Sequence, residues 1–178
     1  MKSSVKVALG GAVAALGLVL MFLTAIIPFG TFAFPTFAGM LLVVIVIEIG
    51  YGFSVAVYTV TAVLSFLLVP DKEAALFYTA FLGFYPIIKS LIERLPNKVM
   101  QIVIKLILFN ACMIGAFFIA IYLLSIPKES FNLFGVYLPY VFLILGNFAF
   151  LLYDFCITRV VTIYLFKWHD KVNKNTKL

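Results

Sequence analysis

Five ionisable side chains stand where the chain is otherwise apolar: Glu48, Lys89, Glu93, Asp154 and Arg159. A charge at membrane depth is costly, so each implies a partner or a purpose. Tyr85, Lys89 and Glu93 are spaced by four and share one face of a helix. Pro86 lies inside that pattern. It removes a backbone donor and bends a helix unless neighbours meet the freed carbonyl. Asp154 and Arg159 are five apart, about 140° round a helix, so they do not pair squarely with each other. Cross-helix pairs are expected instead, Lys89 with Asp154 and Glu48 with Arg159. Three chemistries fit such a set: a ring of ion pairs clamping helix ends, a coupling site for a cytosolic partner, and a proton relay. Lys89, Arg94 and Lys98 also suit anchoring of a helix end at lipid headgroups.

A second group is polar but uncharged. Tyr140, Asn147 and Asp154 recur every seven residues on one helix face, and Asn147 falls mid-membrane, where an amide needs a hydrogen-bond partner. Tyr78, Tyr122, Asn132 and Tyr137 gather toward the opposite end of the spans from the charges. With Phe32 and Phe34 they outline an aromatic, uncharged ligand site for a small, largely apolar or flat molecule. The same tyrosines also describe an ordinary interfacial aromatic belt. Signals for catalysis are weak. The chain has no Gly-rich phosphate loop, no HExxH and no paired-aspartate motif, and its one histidine, His169, lies in a basic tail. Cys112 and Cys156 lack metal or redox spacing and read as packed thiols, so no metal or cofactor is expected.

The elements that position these groups follow from composition. Of 178 residues, 65% are hydrophobic and 11% charged, far from the roughly 25% charged of a soluble domain. The expected fold is an all-α integral membrane protein, one compact bundle of six transmembrane helices over residues 5–27, 36–49, 53–69, 74–95, 99–126 and 136–166, with a cytosolic basic tail at 167–178. Lys2 and Lys6 before an apolar run also describe a signal peptide, but no small-x-small cleavage site follows. Six spans place both termini on one side. With the termini inside, eleven basic residues face the cytosol and only Lys72 and Lys128 face out. That bias makes both termini cytoplasmic in a multi-pass cell-membrane protein, and it sets the five charged groups near the inner face. Asp154, for instance, lies about 27 Å from the outer start of its span. The net charge of +6 reads as loops facing anionic lipid, not as nucleic-acid binding.

Two features outside the spans' cores complete the pattern. Ala8, Gly11, Ala12 and Ala15 form a strip of small side chains on the first span. Such a strip lets another helix approach closely, either within this chain or from a partner. The link 28–35, Pro-Phe-Gly-Thr-Phe-Ala-Phe-Pro, is charge-free and proline-bracketed, which suits a re-entrant or lid-like segment.

In length, span count, small-residue strip and hydrophobic link, the chain resembles the substrate-binding S component of energy-coupling-factor vitamin transporters. The resemblance covers the whole chain in architecture. It implies that Ala8, Gly11, Ala12 and Ala15 dock a transmembrane coupling subunit served by cytosolic ATPases. It further implies that the 28–35 link closes over a vitamin-like ligand captured from outside. The expected function is therefore substrate binding for an ATP-driven importer, with no catalysis in this chain. The residues also admit a structural or assembly protein that recruits a cytosolic partner, and a lipid-modifying enzyme with Glu48 or Asp154 as acid or base.

Overall fold

The computed structural model describes residues 2–27, 30–122, 132–133, 136–137 and 139–167; the side chains of 132–142 are outside that description. Helices dominate. They are α1 (Ser3–Leu23), α2 (Ala33–Glu48), α3 (Tyr51–Leu68), α4 (Lys72–Phe77), a π turn (Tyr78–Leu82), α5 (Tyr85–Ile92), α6 (Lys98–Tyr122) and α7 (Pro139–Lys167). A two-residue antiparallel pair, Asn132–Leu133 with Val136–Tyr137, precedes α7. Among the described residues, five helical stretches are long and apolar enough to cross a membrane: Ser3–Leu23, Tyr51–Leu68, Lys72–Ile92, Lys98–Tyr122 and Leu143–Lys167. The sixth apolar helix, α2, has 16 residues.

The turns explain the helix ends. Gly50 takes φ +106°, a region L side chains rarely enter, and this turns α2 into α3 within two residues. At the other end of α3, Lys72 donates to the Phe66 and Val69 carbonyls at 2.6 and 2.9 Å, a cation closing a helix C-terminus. Its neighbour Asp71 caps α4 by accepting from Ala74 N at 3.0 Å.

The 28–35 link is shorter than expected. α2 begins at Ala33, so Phe34 and Pro35 belong to its first turn. Proline is tolerated there because that turn's N–H groups have no helical partner. Thr31 Oγ1 donates to Asp71 Oδ2 at 3.0 Å, and Phe32 packs on Phe77 with centroids 4.9 Å apart. These contacts tie the link to the α3–α4 turn.

The expected single span over 74–95 is also divided. The π turn widens the helix, with Gly83 N bonded five residues back to Tyr78 O at 2.8 Å. Pro86 then starts α5. Lacking an N–H, Pro86 leaves the Leu82 carbonyl free, and Tyr153 on α7 donates to it at 2.8 Å. The Thr79 carbonyl accepts from Tyr58 on α3 at 2.6 Å. Two tyrosine hydroxyls thus satisfy the deformed helix from opposite neighbours.

The core sits around this broken helix. Phe81 and Tyr85 stack at 4.8 Å, and Phe109 and Phe150 stack at 4.8 Å beside them. Tyr78, Phe81 and Tyr85 are almost fully buried. α1 and α7 lie at the bundle's edge, with Phe148, Phe155 and Phe166 among the exposed side chains of α7. An apolar helix exposed round most of its girth is what a lipid-facing position requires.

Candidate functional site

The ionisable residues converge where α5, α6 and α7 meet. Lys89 Nζ donates to Asp154 Oδ1 and Glu93 Oε1, each at 2.5 Å. Lys105 Nζ reaches the same two carboxylates, 2.7 Å from Glu93 Oε1 and 3.0 Å from Asp154 Oδ1. Tyr85 Oη also donates to Asp154 Oδ1. The result is a closed ring of two ammonium and two carboxylate groups. Lys89 and Lys105 are 2% and 5% exposed. Such burial is tolerable because each cation meets both anions and the ring carries no net charge. Glu93, with 38% of its side chain exposed, is the member open to the surface.

Local structure sets each corner. Lys89 and Glu93 are i,i+4 neighbours on α5, the spacing that puts them together before any tertiary contact forms. Lys105 and Asp154 come from α6 and α7, which run antiparallel. The same register brings Phe109 against Phe150 and, one layer on, Asn110 against Asn147. Asn110 and Asn147 exchange two amide bonds at 2.9 Å, and each also donates to a carbonyl of its own helix at 2.8 Å. Asn147 thereby finds the partner its depth demands.

The expected Lys89–Asp154 pair is present. Glu48, expected with Arg159, instead accepts from Tyr164 Oη at 2.8 Å. Arg159 lies over the Phe155 ring, 4.8 Å from its centroid. Arg159 and Phe155 are four apart on α7, so a cation–π contact forms within one helix at no cost in loop closure. Arg94 takes a similar partner, donating to Tyr51 Oη at 2.6 Å with its guanidinium 5.0 Å from the ring centre. Lys105 completes the ring, although its position alone does not mark it. The signal existed, a lysine seven residues inside an apolar run, but it also suited a flanking basic charge.

The expected ligand residues are not drawn into one chamber among the described residues. Tyr78 is packed in the core, whereas Tyr122 is exposed. Phe32 rests on Phe77, Phe34 is half-buried in the first turn of α2, and Asn147 is committed to Asn110. The side chains of Asn132, Tyr137 and Tyr140 lie outside the described residues.

α1 divides cleanly. Gly10, Val13, Gly17 and Met21 face the bundle and are buried. Ala8, Gly11, Ala12 and Ala15 are all exposed, and a Cβ added at Gly11 would meet nothing within 4 Å. The strip of small residues is thus not spent on packing among the described residues. Comparison with protein-family models, curated proteins and solved structures gave no match.

Proposed function

We propose that this chain is the ligand-capturing membrane subunit of an ATP-driven importer of a vitamin-like micronutrient. It crosses the membrane six times with both termini in the cytosol. It docks a transmembrane coupling subunit along α1, and the ATPases belong to other chains. The observation that carries this reading is the exposed strip of Ala8, Gly11, Ala12 and Ala15, set on the opposite side of α1 from its buried stripe. In lipid, small side chains on an outward face favour close approach of another helix, since packing and not hydrophobicity drives association there. The excess of basic residues on the charged end orients the bundle. Capture from outside is supported by the tie of the 28–35 link to the α3–α4 turn, through Thr31–Asp71 and Phe32–Phe77.

The test is a bulky change on the strip. Ala8→Trp with Ala12→Trp should leave the purified chain folded, with an unchanged melting temperature, because both positions are exposed. Its association with a coupling subunit, read as ATPase activity co-purifying from the native membrane, should fall at least tenfold. Unchanged co-purifying activity would remove the docking role.

One observation favours a second reading, a structural or assembly protein that recruits a cytosolic partner. The Lys89–Glu93–Lys105–Asp154 ring is neutral and satisfied within itself, as a clamp would be. Deleting residues 170–178 separates the two: recruitment depends on the basic tail, import does not. The ring gives less support to a lipid-modifying enzyme, since Asp154 already accepts from Tyr85, Lys89 and Lys105.

A further inference from the structure

We propose that the groove between α3 and the π turn binds a small apolar molecule carrying one hydrogen-bonding group, entered sideways from the bilayer. The groove has a volume of about 350 Å³ and is lined by Tyr58, Ala62, Val63, Phe66, Leu67 and Thr79. That volume lies at the lower end of small-molecule sites. Val63 and Leu67, on its outer wall, are among the exposed side chains of α3, so it opens on the outward face of that helix.

Three hydroxyl residues, Tyr58, Thr59 and Thr79, line the groove, and Thr79 is the one whose hydroxyl has no partner among the described residues. The other helical threonines bond back to a carbonyl one turn earlier: Thr59 to Val55 O, Thr61 to Val57 O, and Thr158 to Asp154 O, each at 2.9 Å. Thr79 does not. Its Oγ1 is buried and has no hydrogen-bond partner among the described residues. It sits in the π turn, a deformation that recurs at functional sites. Tyr58 holds that turn by donating to the Thr79 carbonyl at 2.6 Å. Thr79 is one of the residues that line the groove, and threonine in a helix has two χ1 wells open to it.

The choice of occupant follows. Thr79 lies about 10 Å along the helix from Lys72, too deep for a lipid headgroup. An acyl chain would fill the apolar walls and leave the hydroxyl unmet. A transmembrane helix, about 10 Å across, is too wide for a cup of this volume. A molecule with a flat or chain-like apolar body and one hydroxyl, carbonyl or amine meets both walls and hydroxyl. The site stands whether or not α1 docks a partner.

The test uses the full chain in phosphatidylcholine nanodiscs with two photoreactive probes, a diazirine-bearing octanol and the matching diazirine-bearing octane. Adducts are mapped by peptide mass spectrometry. The alcohol should label residues 58–67 and 79 saturably. Thr79→Val should weaken its labelling about three- to tenfold, the value of one hydrogen bond, and leave the octane's labelling unchanged. Val63→Trp, on the exposed wall, should abolish labelling by both. Adducts spread evenly over the exposed residues of α6 and α7 would overturn the proposal. So would Thr79→Val leaving alcohol labelling unchanged. If Thr79→Val does not fold, undiminished labelling of Val63→Trp overturns it alone.

Discussion

Asp154→Ala is expected to destabilise the folded chain by about 3–5 kcal/mol, the cost of stripping one partner from a buried ion pair. The change leaves Lys89 and Lys105 in a largely dry site with only Glu93 between them. Tyr85 loses its acceptor at the same time. Glu93→Gln should cost less, since its side chain is the more exposed of the two carboxylates, 38% against 23% for Asp154, and is screened more. The measurement is the melting temperature of the purified protein in detergent, followed by retention of monodisperse material on size exclusion. Replacing the whole network, Tyr85→Phe, Lys89→Met, Lys105→Met, Glu93→Gln and Asp154→Leu together, should recover most of the loss, because an apolar substitute for a neutral buried network is close to neutral in stability. If Asp154→Ala melts like the wild type, the ring is not the clamp between α5, α6 and α7.

Gly39→Ala is the second large effect. A Cβ at Gly39 would fall on the Leu82 carbonyl and the Tyr153 hydroxyl. These two atoms are bonded to each other, and the carbonyl is the one Pro86 leaves without a helical donor. The obstacle includes backbone, which cannot rotate away. α2 must therefore separate from the broken helix, and the Tyr153 bond stretches with it. Overpacking of this kind costs about 1–3 kcal/mol, and loss of the hydrogen bond places Gly39→Ala at the upper end. Gly115→Ala is the matched control. Nothing lies within 4 Å of its added Cβ, and replacing glycine in a helix interior should stabilise by about 0.5–1 kcal/mol. Thermal melting of the two variants side by side should give shifts of opposite sign.

The membrane character of the chain was legible because composition alone determines it: long apolar runs need a lipid environment whatever their packing. The meeting of Lys89 with Asp154 was legible for a related reason. Two opposite charges at similar depth on different helices have few other ways to be satisfied. Lys105 escaped because position along the chain does not distinguish a lysine pointing to headgroups from one pointing into the bundle. The partner of Glu48 escaped because a tyrosine hydroxyl on α7 competes as well as a guanidinium does. The π turn has no residue signature. It shows in the Gly83-to-Tyr78 bond and in Tyr58 and Tyr153 serving the Thr79 and Leu82 carbonyls around it. The aromatic residues read as a ligand site illustrate the same limit, since tyrosine suits a pocket, a belt or a core equally, and here Tyr78 went to the core. The alanine strip was readable as small side chains at helical spacing, but which side of α1 faced outward depended on Val13 and Met21 finding their places in the bundle.

The most direct measurement of the central claim is native mass spectrometry of the complex released from its own membrane. The account predicts one copy of this chain bound to a larger transmembrane protein and to ATP-hydrolysing subunits, with that assembly lost in Ala8→Trp/Ala12→Trp. The chain recovered alone or only as copies of itself, from membranes in which it is intact, would contradict it.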